Sequence, residues 1–149
     1  MPAESRSILE GDGSVIHAQI GSDPFAVRDW LTGIFADARL EHLPEDLKGS
    51  AEIVLAEALN NVVEHAYAGT NGTILIELAA GAGALACVVR DSGHPMPGLN
   101  IPEGRLPAMA DDLPEGGFGW HLIRTLSRDL TYCRQGGQNV LSFRVVCDD

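Results

Sequence analysis

The chain reads as an α+β protein: a two-layer sandwich with a mixed, mostly antiparallel sheet and helices on one face. Three observations predict this. The strand-like segments come in neighbouring pairs around short Gly-rich turns, the signature of hairpins. Two stretches in the first half carry apolar residues at helical spacing. The resulting order, β-α-α-β-β-loop-α-β-β, groups like elements instead of alternating them as a parallel α/β sheet would. With 149 residues, 45% apolar and 21% charged, the chain suits one domain with a real core and not a disordered segment.

Residues 1–13 are polar and Gly-bearing and read as a flexible N-terminal arm, leaving 14–149 as the domain. Ser14–Ile20 alternates Val15, His17 and Gln19 with Ile16, Ala18 and Ile20, which suits a strand. Ser22-Asp23-Pro24 is a helix start, after which Phe25, Trp30, Leu31, Ile34 and Phe35 can form a core stripe. Leu43-Pro44-Glu45 ends that helix and opens a second one running to about Tyr67. Thr73–Ala80 and Leu85–Arg90 read as strands joined by Gly81-Ala82-Gly83. That triplet also fits Gly-x-Gly-x-x-Ala, the dinucleotide fingerprint, but the fingerprint needs a helix next and Leu85-Ala86-Cys87-Val88-Val89 is strand-like; a hairpin turn is favoured.

From Asp91 to Gly119 periodicity stops, and Pro95, Pro97, Pro102, Pro107 and Pro114 are scattered among glycines. So long an aperiodic stretch inside a compact domain reads as a functional loop, here a lid at about 94–115. A helix follows from about Gly119 to Leu126, then strands Leu130–Arg134 and Val140–Val146 around Gln135-Gly136-Gly137-Gln138.

The formal charge of −11 argues against a duplex nucleic-acid partner, which needs a basic face. No apolar run approaches the roughly 20 residues that span a bilayer, and the N-terminus lacks a secretion signal. The expectation is a soluble, cytoplasmic protein without membrane contact. Cys87, Cys133 and Cys147 show no Cys-x-x-Cys spacing and read as buried reduced thiols, and the five histidines offer no zinc spacing. Lys48 is the only lysine, with no Gly-x-x-x-x-Gly before it, so a Walker-type phosphate loop is excluded.

Three places carry chemistry. On the second helix Ala51, Leu55, Ala58, Leu59, Val62 and Ala66 form the core stripe, and Glu57, Asn61, Glu64 and His65 lie roughly opposite. Glu57, Asn61 and His65 are one turn apart in a column. Taken alone this is a solvated face, yet two mid-helix asparagines, Asn60 and Asn61, are mediocre helix formers. A neutral amide oxygen suits Mg²⁺ when phosphates supply the remaining ligands, and a carboxylate one turn earlier can take a proton from an attacking hydroxyl. Asp91, ending a strand before Ser92-Gly93, can accept a hydrogen bond from an adenine amino group, although most Asp-x-Gly triplets are ordinary turns. Glu115-Gly116-Gly117-Phe118-Gly119 leads into a helix N-terminus, where backbone N–H groups and the dipole favour an anion.

In combination these segments resemble the GHKL, or Bergerat-fold, ATPase and kinase family. Glu57–Tyr67 resembles its N-box, Asp91-Ser92-Gly93-His94-Pro95 its first Gly box, and Gly117-Phe118-Gly119 its second, with the Pro-rich stretch where the ATP lid lies. The likeness covers nearly the whole chain and is strongest to the bacterial anti-sigma-factor serine-protein kinases; Phe25-Ala26-Val27-Arg28 and Gly137-Gln138-Asn139-Val140-Leu141 add to it. The resemblance implies that Asn61 binds Mg²⁺, that Asp91 reads adenine with Gly93 beside it, and that Gly117 and Gly119 wrap the phosphates of ATP, with His65 approaching them. Arg105 is the lid's one cation for phosphate charge. Glu57 would be the general base acting on a partner's serine. The implied partner is a STAS-domain anti-anti-sigma protein that competes with a sigma factor for the kinase. Arg28 matches a partner-contacting position, and homodimers are common among relatives.

Two other functions fit the same residues. One is a nucleotide-regulated binding module without kinase activity, which would need Asn61 and Asp91 but no base. The other is the catalytic ATP-binding fragment of a histidine kinase, for which nothing before residue 14 supplies a phosphoacceptor-histidine helix pair.

Overall fold

The computed structural model describes residues 15–104 and 118–147. The expected N-terminal arm, residues 1–13, and residues 105–115 of the expected lid lie outside them. Five strands form one sheet: β1 (Val15–Gly21), β2 (Thr73–Ala80), β3 (Ala84–Asp91), β4 (Arg128–Gln135) and β5 (Gln138–Val146). Their order across the sheet is β1-β2-β3-β5-β4, and all four pairings are antiparallel. The helices are α1 (Pro24–Phe35), α2 (Glu45–Asn61) and α3 (Phe118–Leu126), with α2 packed between α1 and α3 and against β3 and β5. The α+β sandwich expected from the element order is the fold observed.

Strand alternation sorts the sheet into a helix-facing side and an open side. The register aligns Ile16, Leu78, Cys87 and Phe143 in one transverse row, and Ala18, Ile76, Val89, Leu141 and Tyr132 in the next. Most of these side chains are buried with Leu47, Ala51, Val54, Leu55, Ala58 and Leu59 of α2. The open side carries His17, Glu77 and Arg90, and Glu77 lies 3.5 Å from each of the other two. The Gly81-Ala82-Gly83 segment is the hairpin turn between β2 and β3, closed by the Gly81 N–H donating to the Ala84 carbonyl.

Three sequence expectations are corrected. The first helix stops at Phe35, and a separate short 3₁₀ turn, Ala38–Leu40, lies between it and Leu43-Pro44, where the sequence places the helix end. Phe25 is 72% exposed; the α1 core stripe is Val27, Leu31 and Ile34. Asp23 caps this helix and Pro24 opens it. Phe25 therefore stands two residues, about 200°, from Val27 and points away from the core. Of the cysteines only Cys87 is buried, on the helix-facing side of β3, and burial pushes its thiol well above the usual range. Cys133 and Cys147 are exposed, the first on an edge strand and the second just beyond β5.

No helix among the described residues is long and apolar enough to cross a membrane.

Candidate functional site

The third transverse row, Ile20, Ile74, Asp91, Asn139 and Arg134, begins apolar and turns polar. Its polar half lies where α2 ends. There the helix loosens into a π-helical turn, Val62–Ala66, with the Tyr67 N–H reaching back five residues to the Val62 carbonyl. Such turns are rare and cluster at functional sites because they displace side chains from the regular helical faces. Tyr67 holds this end in place: its hydroxyl donates to the Thr73 carbonyl at 2.7 Å and accepts from the Ser92 N–H at 2.8 Å.

Between the π turn, the polar end of the sheet and the first turn of α3 lies a cavity of about 530 Å³. Asn61, His65 and Ala66 line it from α2, Asp91 and Asn139 from the sheet, and Trp120 from α3. The residues that follow Asp91, including Pro95, Met96 and Pro102, form a further wall. A mostly apolar pocket with a few convergent polar groups is the form that small-molecule sites take.

Asp91 is 4% exposed. Its Oδ1 accepts from the Gly93 N–H and from Asn139 Nδ2, both at 2.8 Å. Burial raises its pKa above the ordinary carboxylate value, opposed by these two hydrogen bonds and by the charge of Arg134. Asn139 also donates to the His94 carbonyl at 2.8 Å, and its Oδ1 accepts from the Tyr132 hydroxyl at 2.6 Å and Arg134 at 3.0 Å. Arg134 further donates to the Gly93 carbonyl at 2.7 Å, and the Met96 N–H donates to the Tyr132 hydroxyl at 3.0 Å.

The fold places the sequence candidates unequally. Asn61, His65 and Asp91 line one cavity. Gly93 stands behind Asp91: a β-carbon there would collide with the backbone of Ala66, so glycine permits the close approach, which the His94 N–H seals by donating to the Ala66 carbonyl at 2.7 Å. Glu57 is half-buried, absent from the cavity lining, and packed against Gly119 at the start of α3. Arg105 and Gly117 lie outside the described residues. The stretch 94–104 is tied down at its far end as well, by Arg124 donating to the carbonyls of Ile101 and Pro102 at 3.0 and 2.8 Å.

The site's capacity for a nucleotide can be judged from its own atoms. Asn61 Nδ2 is buried without a hydrogen-bond partner, alone in this among the described side chains. An unsatisfied amide in a cavity wall is costly unless something supplies a partner, and either end of the amide can be turned to it. Apolar walls with a carboxylate at one side fit a heterocycle bearing an amino group. Trp120 brings the N-terminal turn of α3 to the cavity edge, where the helix dipole suits phosphate. The residues present fit Mg²⁺·ATP.

Sequence reasoning did not single out Asn139, Tyr132, Arg134 or Trp120. The only signal was the likeness of the 137–141 segment to the family. A buried polar network joining two strands and a loop has no local spacing that would reveal it.

The profile of the histidine kinase-like ATPase domain matches residues 21–145. The chain is similar to the serine-protein kinase RsbW of Bacillus thuringiensis (strain Al Hakam), Bacillus cereus (strain 03BB102) and Bacillus anthracis (strain A0248), at 31% identity over 106 residues in each case. The similarity covers 68% of this chain and spans 64% of the relatives' length.

Proposed function

The chain belongs to the histidine kinase-like ATPase domain family, and from that premise we propose that it is an ATP-dependent serine-protein kinase and anti-sigma-type regulator. The observation that carries the proposal is the meeting of Asn61 and Asp91 in the walls of one cavity, the first with an unpartnered amide and the second with its Oδ1 already held. Asp91 accepts the adenine amino group on its other oxygen, and Asn61 turns its amide oxygen to Mg²⁺. His65 and the start of α3, with Gly119, face the phosphates, and the family resemblance assigns Gly117 and Arg105 to the same phosphates. When bound at Asn61, Mg²⁺ would neutralise phosphate charge. Glu57 takes the proton from a partner's serine as the serine oxygen bonds to the γ-phosphorus, the bridging P–O bond breaks and ADP leaves.

The partner in this account is a STAS-domain anti-anti-sigma protein, competing with a sigma factor. The similarity to serine-protein kinases supports the serine acceptor. Phe25 and Arg28, both exposed on α1, offer an apolar and a cationic contact for such a partner.

A second reading, a nucleotide-regulated binding module, is favoured by one observation: Glu57 packs against Gly119 and is absent from the cavity lining. Radiolabel transfer from ATP to a STAS-domain partner separates the two. Under the kinase reading transfer occurs, and Glu57→Gln, which keeps size and polarity, lowers its rate by about 10²–10⁴-fold while ATP binding persists. Transfer at the original rate removes Glu57 from the chemistry. No transfer by the unaltered protein to a partner that binds it supports the module.

A further inference from the structure

Asn139 is 5% exposed and stands directly opposite Asp91 across the β3–β5 pairing. Its amide has two donors and two acceptor lone pairs, and all four are used. The donors go to Asp91 Oδ1 and the His94 carbonyl; the acceptor takes the Tyr132 hydroxyl and Arg134. The opposite orientation would set amide oxygen against two acceptors and amide N–H against a guanidinium, so the network itself selects this one. Tyr132 and Arg134 also hold the loop backbone, at Met96 N–H and the Gly93 carbonyl. One side-chain cluster from the β4–β5 hairpin therefore grips both the Asp91 carboxylate and the loop that walls the cavity beyond it.

We propose that Asn139, held by Tyr132 and Arg134, is the positioning residue for base recognition: it fixes Asp91 through Oδ1, leaves Oδ2 for the base, and locks the root of the 94–104 stretch to the same carboxylate. This rests on the nucleotide-binding reading above. Asn139 makes no contact with the ligand in this account and acts through Asp91. Its consequence is selectivity for a 6-amino over a 6-oxo purine, because only a carboxylate held in one orientation rewards the amino donor and repels the oxo acceptor. A merely structural asparagine would affect both purines alike.

The test is calorimetry of Mg²⁺·ADP and Mg²⁺·IDP with the wild-type chain, Asn139→Ala, Tyr132→Phe, Asp91→Asn and the double variant Asp91→Asn/Asn139→Ala. The wild-type chain is expected to prefer ADP, and Asn139→Ala to lower the ADP:IDP affinity ratio by about fivefold or more, chiefly by weakening ADP. Tyr132→Phe should move the ratio in the same direction, and it decides the matter if Asn139→Ala fails to fold. In the Asp91→Asn background, removing Asn139 should lower the ratio no further, as two residues acting through one contact do. A ratio unchanged in folded Asn139→Ala or Tyr132→Phe, or an undiminished effect without Asp91, overturns the inference and leaves the nucleotide site standing. A wild-type chain that binds both nucleotides equally overturns this inference alone, and one that binds neither overturns the functional reading and this inference with it.

Discussion

Gly119 lies so close to Glu57 that a β-carbon on the glycine would run into Glu57 Oε1 and stand 3.3 Å from Cδ. The first turn of α3 and the proposed base therefore sit together in this arrangement because residue 119 has no side chain. Gly119→Ala must displace either the carboxylate or the helix start. Serine phosphotransfer at saturating ATP is predicted to fall on the order of 10²-fold, the scale that an ångström of misplacement costs. Gly33→Ala, where an added β-carbon meets nothing within 4 Å, serves as control and should keep its rate. A Gly119→Ala chain that transfers phosphate normally would mean that Glu57 does not need its place.

Asn61 carries a buried amide nitrogen without a partner. Replacing it by alanine removes that unsatisfied group and improves helix propensity, so Asn61→Ala should unfold at higher urea, with a gain of about 0.5–2 kcal/mol. The same variant should lose the part of ATP affinity that depends on Mg²⁺. Greater stability with weaker metal-dependent binding marks a residue retained for function. Lower stability with intact Mg²⁺ dependence would make Asn61 structural.

The raised pKa of Asp91 sets a direction for stability against pH. Burial disfavours its charged form, so its contribution is fully present below the ordinary aspartate value of 3.8 and is lost as pH rises through the higher folded value. Asp91→Asn carries no charge there, and its amide oxygen can still accept from Gly93 and Asn139. The stability of this variant relative to the wild-type chain should therefore increase from about pH 3.5 to pH 7. Urea unfolding across that range measures it, and a difference that shrinks with rising pH would contradict the assigned burial cost.

Where periodicity was strong, the sequence alone was enough. The five strands and three helices were legible from alternation, helical spacing and turn residues, with most boundaries displaced by a residue or two; α1, which ends at Phe35 and not at Leu43-Pro44, is the exception. The α2 stripe from Ala51 to Val62 is buried as its spacing demands. Phe25 falls outside the α1 stripe because it stands two residues, about 200°, before the buried Val27. The π turn was invisible because it depends on where the end of α2 is anchored, through Tyr67, and not on any residue preference within it. The placing of Asn61, His65 and Asp91 around one cavity follows from motif order. The Asn139 network required the register between β3 and β5, which pairs positions 48 apart.

The most direct test of the central claim, that this cavity holds ATP with Asp91 reading the base, is calorimetry of Mg²⁺·ATP with the wild-type chain and with Asp91→Asn. The variant keeps an acceptor for Gly93 and Asn139, so the fold should survive, but it can turn an amide N–H2 toward the adenine amino group where a carboxylate oxygen was. Loss of that buried partner should weaken binding about 5- to 150-fold, corresponding to about 1–3 kcal/mol. Saturable wild-type binding with that loss is the predicted result. Equal affinity in the two proteins, or a wild-type chain that does not bind ATP, would contradict it.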